Sequence, residues 1–306
     1  MIFLRTNWEN ARAELKSINL FYASIVGKDE ESSSLSKAGF KPISQVKIVD
    51  PYGDERTEAK PDFCLFKDDY MAIIEVKAGT NINDRDIHQL IRNGEFTIEG
   101  VRRSFRRTEN ISLEVSEIES FIVYYQSTID DCLEIPKCKE SFDEIIDNGI
   151  LLTQEENGLL KLHEDSDEPK DETLKTILSN GIELPREPKT EFDILDNPCS
   201  ENVMVFLIRK FINEFKTTNE ILMDQFDMRE KFIPPGIACK VHKVKNALEC
   251  FRKLDCATKE RGGDRYRIKK DDLGKLVKVP EFLLNNNCDD VLDEKDIEEK
   301  LSLDDF

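Results

Sequence analysis

The spacing of apolar residues predicts alternating helices and strands over the first 163 positions. Between Asn7, a plausible N-cap, and Val26, apolar residues recur every three or four positions, as on a helix with one buried face. Shorter apolar runs farther along predict strands at 63–66, 71–74, 120–125, 150–153 and 159–162. The first two of these runs are nearly continuous, as expected for strands buried on both faces.

Acidic residues interrupt this apolar pattern around one predicted hairpin. If Asp68 and Asp69 form a two-residue loop between the runs at 63–66 and 71–74, the register places Asp62 directly opposite Glu75. Like charges facing each other across a ladder destabilise a sheet. Lys77 shares a face with Glu75, because residues two apart on a strand point to the same side.

Two carboxylates and an amine are therefore expected to converge on one side of the hairpin. A magnesium or manganese ion prefers oxygen ligands and would remove the repulsion between the carboxylates. The alternative is a surface hairpin with solvated acids, in which Lys77 forms an ordinary ion pair. The apolar residues around the acids disfavour that alternative, because unpaired charge is costly to bury.

The motif Pro61-Asp62, twelve residues, then Glu75-Val76-Lys77 resembles the signature of the PD-(D/E)XK nuclease superfamily. The resemblance implies an α/β fold, a restriction-endonuclease-like mixed sheet flanked by helices. It also implies Mg²⁺ (or Mn²⁺) as cofactor, held by Asp62, Glu75 and the carbonyl of Val76. Lys77 would orient or activate the attacking water.

Two further residues are candidates for this site through the same resemblance. In many relatives the first helix supplies an acid, and Glu14, on the flank of the apolar stripe, is better placed for this than Glu9, which points away from it. The helix that starts after Asn83 resembles the glutamine-bearing helix of several branches, which makes Gln89 a candidate. Asn93 stands where those branches have a tyrosine. The alternatives are a solvated boundary glutamate for Glu14 and a surface residue for Gln89.

The net charge of −19 argues against a polyanionic partner until its distribution is considered. Positions 1–110 carry −1, positions 111–205 carry −17, positions 206–282 carry +6 and positions 283–306 carry −7. Such asymmetry is compatible with nucleic-acid binding. Four arginines in the first part suit phosphate contacts, with a solvated charge run as the alternative: Arg102, Arg103, Arg106 and Arg107.

The eight cysteines include no C-x-x-C pair, and we expect reduced structural thiols. A zinc site at Cys132 and Cys138, or at Cys250 and Cys256, is less favoured, since neither spacing is usual for metal ligands.

The remaining chain divides by composition into three parts. Positions 164–200 are predicted to be an acidic linker that allows one short helix around Leu174. Positions 283–306 are predicted to be an acidic tail that allows a short helix around 296–301. Between them, 201–282 is predicted to contain three helices, the second from Thr217 to Phe226, and a β-hairpin. This pattern resembles a winged-helix domain, which binds either DNA or a partner protein. Its expected phosphate contacts are Lys243, Lys245, Arg261, Arg265 and Arg267.

Together these features predict a Mg²⁺-dependent deoxyribonuclease with a nuclease-like domain at 1–163. We expect an endonuclease of DNA defence, repair, recombination or transposition, since the order of parts is also similar to the endonuclease subunit of heteromeric transposases. RNA is a less favoured substrate. A homodimer or a partner protein bound through the C-terminal domain is compatible with the pattern. With no membrane-spanning or signal segment expected, a cytoplasmic location is predicted. The alternative function is a non-cleaving nucleic-acid-binding or assembly protein on the same fold.

Overall fold

The computed structural model describes residues 6–26, 33–44, 46–52, 57–79, 81–108, 114–186, 192–235, 237–288 and 292. The chain forms two compact units. One consists of Lys16–Glu191, and the other combines Met1–Leu15 with Phe192–Phe306. The first helix, α1 (Asn7–Val26), has the bounds that the apolar periodicity predicts.

The unit Lys16–Glu191 is a mixed α/β structure. Its helices are the C-terminal part of α1 and α2 (Ser34–Lys37), α3 (Asp84–Gly94), α4 (Ile98–Thr108), α5 (Gln126–Leu133), α6 (Pro136–Asn148) and α7 (Glu172–Asn180). Its strands are β1 (Lys41–Ser44), β2 (Ile48–Asp50), β3 (Thr57–Ala59), β4 (Phe63–Lys67), β5 (Tyr70–Lys77), β6 (Glu117–Tyr125), β7 (Ile150–Gln154), β8 (Leu159–Leu162) and β9 (Ile182–Glu183).

Seven strands form one mixed sheet in the order β1-β4-β5-β6-β7-β8-β9. The three central strands β5, β6 and β7 run parallel, and the outer pairs are antiparallel. Strands β4 and β5 are joined by Asp68 and Asp69, and Lys67 pairs with Tyr70. The predicted two-residue hairpin loop and its register are therefore confirmed.

The two faces of the central sheet pack against different helices. On one face, the rings of Phe21 and Tyr22 in α1 meet the ring of Phe63 edge-on, at centroid distances of 5.1 and 5.9 Å. On the other face, Met71 and Ile73 of β5 share an apolar cluster that includes residues of α4. Because Glu75 and Lys77 follow Ile73 at intervals of two, they belong to this second face.

The segment predicted as an acidic linker contains the short helix allowed around Leu174 and also a strand that was not expected. Helix α7 begins after Asp171, whose side chain accepts a hydrogen bond from the Leu174 amide. Strand β9 then pairs with β8 at the edge of the sheet. Leu174 and Leu178 are buried. These two apolar residues, four apart, and the contacts of Lys67 Nζ with Asp171 and Thr173, each at 3.2 Å, hold this helix although the surrounding composition is that of a linker.

The cysteines are not all reduced as expected. Cys132 near the end of α5 and Cys138 in the first turn of α6 form a disulfide, so the prediction of eight reduced thiols is wrong for this pair, and the alternative of a zinc site there is excluded. The turn between the two helices brings the Cα atoms to 5.1 Å, within the range a disulfide requires. The other six cysteines are free.

The second unit contains three longer helices and a small antiparallel sheet. The elements are α8 (Ser200–Glu214), β10 (Glu220–Met223), α9 (Gln225–Phe232), α10 (Val241–Lys253), β11 (Thr258–Lys259), β12 (Tyr266–Lys269), a 3₁₀ turn at Lys270–Asp272, α11 (Leu273–Leu276) and α12 (Val279–Phe282). The three strands are ordered β10-β12-β11. The expected hairpin and third helix are confirmed by β11, β12 and α10.

The predicted second helix of this unit is wrong in position. Residues Glu220–Met223 form a strand, because Ile221 is buried and pairs with Ile268 of β12. Helix α9 starts only after Asp224, whose carboxylate accepts hydrogen bonds from the amides of Phe226 and Asp227.

The boundary predicted for the acidic tail, position 283, lies too early in the chain. Leu283 and Cys288 are buried in the apolar cluster of this unit, and, apart from residue 292, the positions after 288 lie outside the described residues. No helix of the described residues is long and apolar enough to cross a membrane.

We expect Gly100→Ala to destabilise the protein, because an added Cβ would overlap the carboxylate of Asp50. That carboxylate accepts hydrogen bonds from the amides of Tyr52 and Thr97, so it is not free to move. The free energy of unfolding should fall by about 1–3 kcal/mol. Urea denaturation measures the change. The matched control is Gly94→Ala, whose new Cβ would have its nearest neighbour at 3.9 Å. It should raise stability by up to about 1 kcal/mol, and equal losses in both variants would contradict the packing described.

We also expect stability to depend on the protonation of His163. Its side chain is only 8% exposed and meets the ring of Phe142 edge-on. Burial lowers the pKa of His163 below its ordinary 6.5, against an opposing effect of Asp165. The unfolded chain therefore binds this proton more tightly, and the stabilising contribution is complete above pH 6.5 and is lost as the pH falls through the folded pKa.

Unfolding free energies between pH 7.5 and 5 test this expectation. Wild type should lose more stability over that interval than His163→Gln. His88→Gln, at an exposed position of α3, is the matched control and should retain the wild-type slope. Parallel profiles for wild type and His163→Gln would contradict the prediction.

Candidate active site

The end of the β4–β5 hairpin opposite its turn brings the motif residues together. Asp62 immediately precedes β4, and its Oδ2 accepts a hydrogen bond of 2.7 Å from the amide of Val76. Extending the observed register by one residue places Asp62 opposite Glu75. The Asp62 carboxylate therefore lies against the backbone of β5 beside Glu75.

The proline of the motif has a physical role in this geometry. The last paired residues are Phe63 and Ile74, and the chain bends at Asp62, next to Pro61. In an antiparallel ladder the amide and carbonyl of one residue face the same neighbouring strand, so the Val76 carbonyl faces the side of Asp62. Pro61 has no N–H and cannot continue the ladder as a donor. The Val76 amide instead donates to the Asp62 carboxylate, where the regular ladder has ended.

Glu75 is an ionisable group inside the sheet, with 2% of its surface exposed. Its Oε2 lies 3.4 Å from the Lys77 ammonium, and its Oε1 accepts a hydrogen bond of 3.2 Å from Asn93 Nδ2. These two contacts offset the cost of removing the carboxylate from water. The alternative of solvated acids therefore does not hold for Glu75.

Lys77 links the strand to helix α3. Its Nζ donates a hydrogen bond of 2.9 Å to Oε1 of Gln89 in addition to its contact with Glu75. Helix α3 begins after Asn83, whose side chain accepts a hydrogen bond from the Arg85 amide. Gln89 thus contacts a residue of the predicted site, and the alternative of a surface residue without a role there does not hold.

Glu14 is half-buried in the part of α1 that belongs to the other compact unit. The site described here therefore consists of Asp62, Glu75, Val76, Lys77 and Gln89.

The chemistry of these donors suits a hard divalent cation. Two carboxylates and a backbone carbonyl are oxygen ligands, and Mg²⁺ is commonly bound by one or two carboxylates with water completing its shell. Among the described residues, no group of three or more His, Cys, Asp or Glu side chains converges on a metal position. The candidate site differs from such a group because it offers two carboxylates and one backbone carbonyl.

The four predicted arginines lie on helix α4, which packs on the same face of the sheet as Glu75. Arg106 and Arg107 are exposed, and Arg102 is half-buried. Arg103 donates a hydrogen bond of 2.9 Å to the hydroxyl of Tyr52, and its guanidinium lies 5.7 Å from the centre of that ring. Tyr52 is 51% exposed, so the surface of this helix combines arginine with an accessible aromatic ring.

The predicted contacts of the second unit differ in their surroundings. Lys245, Arg261 and Arg265 are exposed, and Lys243 is half-buried. Arg267 of β12 lies 3.0 Å from Glu260 and 3.5 Å from Glu220. Since two carboxylates hold this guanidinium within its own sheet, Arg267 is less suited to a phosphate contact than the other four.

The sequence interpretation missed Asn93 as a site residue. Asn93 is fully buried in α3 with Ile87 and Leu90, at the helical spacing of an apolar stripe. The available signal was a polar residue at a position where the periodicity calls for an apolar one.

Comparison of the chain with protein-family models, with curated proteins and with solved structures finds no match. The assignment of a function therefore depends on the geometry of the site and on the resemblance of its motif.

We expect Asp62→Ala to be more destabilising than Asp62→Asn. The carboxylate accepts a hydrogen bond of 2.7 Å from the Val76 amide. Asparagine retains an oxygen acceptor in nearly the same place. Alanine leaves the amide without this partner, which should cost about 1 kcal/mol more. Urea denaturation of both variants without added metal measures the difference. Equal stabilities would show that the hydrogen bond contributes nothing.

Proposed function

We propose that this protein is a Mg²⁺-dependent deoxyribonuclease that hydrolyses DNA phosphodiester bonds. The observation that carries the proposal is the convergence of Asp62, Glu75 and Lys77 at one end of the β4–β5 hairpin. The mixed sheet with helices on both faces is compatible with the restriction-endonuclease-like fold implied by the motif.

Each residue has a distinct role in this proposal. Asp62, Glu75 and the Val76 carbonyl would hold the cation, which when bound makes water more acidic and stabilises charge developing on the phosphate. Lys77 presents a positive charge next to the Glu75 carboxylate, where it would stabilise negative charge on the phosphate oxygens. Gln89 holds the Lys77 ammonium in place through the hydrogen bond of 2.9 Å.

The second unit would supply DNA affinity. Three helices followed by a β-hairpin, with a third strand paired to it, is the order of parts in a winged-helix domain. In such domains the third helix commonly enters the major groove and the hairpin contacts the backbone. Here α10 would take the first role with Lys243 and Lys245, and the β11–β12 hairpin the second with Arg261 and Arg265. The arginines of α4 form a separate basic surface on the first unit.

A cleavage assay with matched variants tests the proposal. Wild type, Lys77→Ala and Lys161→Ala are incubated with supercoiled, linear and single-stranded DNA and with RNA, in Mg²⁺, Mn²⁺ or EDTA. Lys161 is the control because it is also a strand lysine paired with a carboxylate, Glu155, at 2.6 Å. Lys77→Ala should lower the cleavage rate by about 10²-fold or more, and Lys161→Ala should stay within about threefold of wild type.

The outcomes separate the proposed function from its alternatives. Metal-dependent cleavage of DNA that is lost in Lys77→Ala and EDTA supports the proposal. Cleavage of RNA and not of DNA would keep the proposed hydrolysis but show that RNA, and not DNA, is the substrate. Binding of DNA without cleavage in either metal would overturn the enzyme and favour a nucleic-acid-binding protein on the same fold.

A further inference from the structure

Helix α3 contacts both functional side chains of β5. Gln89 accepts a hydrogen bond from Lys77 at 2.9 Å, and Asn93 donates one to Glu75 at 3.2 Å. Residues four apart lie on one face of a helix, and residues two apart lie on one face of a strand. Residues 89 and 93 of the helix therefore face residues 77 and 75 of the strand. The lysine has one partner on the helix and the carboxylate has the other.

The orientation of the Asn93 amide follows from its partner. A carboxylate oxygen can only accept, so Nδ2 and not Oδ1 must face Glu75. Asn93 is 0% exposed, and its Oδ1 has no hydrogen-bond partner among the described residues. An acceptor left unsatisfied in the interior costs about 1–3 kcal/mol.

Stability alone does not favour asparagine at this position. The neighbouring positions of the buried stripe, Ile87 and Leu90, are apolar, and an apolar residue at position 93 would avoid the orphaned oxygen. What asparagine provides is a neutral donor for Glu75. A lysine or arginine there would add a second positive charge beside Lys77 and weaken the attraction of the site for a cation.

We propose that Asn93 is a positioning residue of the cation site. Its Nδ2 fixes one oxygen of the Glu75 carboxylate, which sets the orientation in which Glu75 meets a divalent cation. This inference rests on the proposed function, but it concerns binding of the metal and is tested without DNA.

The experiment measures Mn²⁺ binding to the full chain by isothermal titration calorimetry, with the Mn²⁺-induced shift in melting temperature as a second readout. The variants are Asn93→Leu, which keeps the approximate volume without a donor, and Asn93→Ala, which avoids overpacking if leucine does not fit. His88→Leu is the control, because it removes a polar side chain from an exposed position of the same helix, outside the site.

Both Asn93 variants should bind Mn²⁺ about 10-fold to 100-fold more weakly than wild type, as expected when the partner that orients a metal ligand is lost. Their metal-induced shift in melting temperature should shrink accordingly, and His88→Leu should bind within about threefold of wild type. If the Asn93 variants lose stability but keep the wild-type affinity, Asn93 is only structural and the inference is overturned while the proposed function stands. If wild type itself binds no Mn²⁺, the proposed function and the inference both fail.

Discussion

The register of the β4–β5 hairpin is the constraint on which the rest of the candidate site depends. Asp68, in the loop, has a φ of 53°, a left-handed conformation that aspartate tolerates better than most residues. The two-residue loop fixes every pairing from Lys67 and Tyr70 onward. A slip of one residue would turn Glu75 and Lys77 to the opposite face of the sheet. The apolar residues that alternate with them make such a slip costly, so packing and turn geometry enforce the same register.

The site introduces polar groups into a strand that is otherwise apolar. Strand β5 is buried from Tyr70 to Val76, and Glu75 is the only charged residue within that stretch. A buried ion pair is weak grounds for stability, because desolvation can exceed the attraction between the charges. The hydrogen bonds from Asn93 and to Gln89 make the pair tolerable without making it favourable over apolar packing. The cluster is therefore better explained by binding chemistry than by folding.

Local sequence patterns predicted the elements whose conformation is set by residues close in sequence. The periodicity of α1, the loop at Asp68 and Asp69 and the cap at Asn83 depend on neighbouring residues, and each was readable from the sequence. The strand at Glu220–Met223 was not, because its pairing partner is more than 40 residues away in β12. The short helix around Leu174 was readable, but the strand β9 that follows it was not, because its pairing with β8 is hidden by the acidic composition of the segment. Asn93 was noted only as a missing tyrosine, since its contact with Glu75 requires the packing of α3 on the sheet.

The charge of the site has a consequence for how DNA would be bound. Asp62, Glu75 and Lys77 together carry one net negative charge, which repels a phosphodiester. A divalent cation reverses the sign, so at this site attraction for DNA would depend on prior or simultaneous binding of the metal. The basic surfaces on α4 and in the second unit carry no such condition and would attract the polyanion at longer range. On the proposed function, affinity and cleavage are therefore separate properties of the chain: the arginine and lysine surfaces hold the DNA, and the metal decides whether a phosphate can approach Lys77.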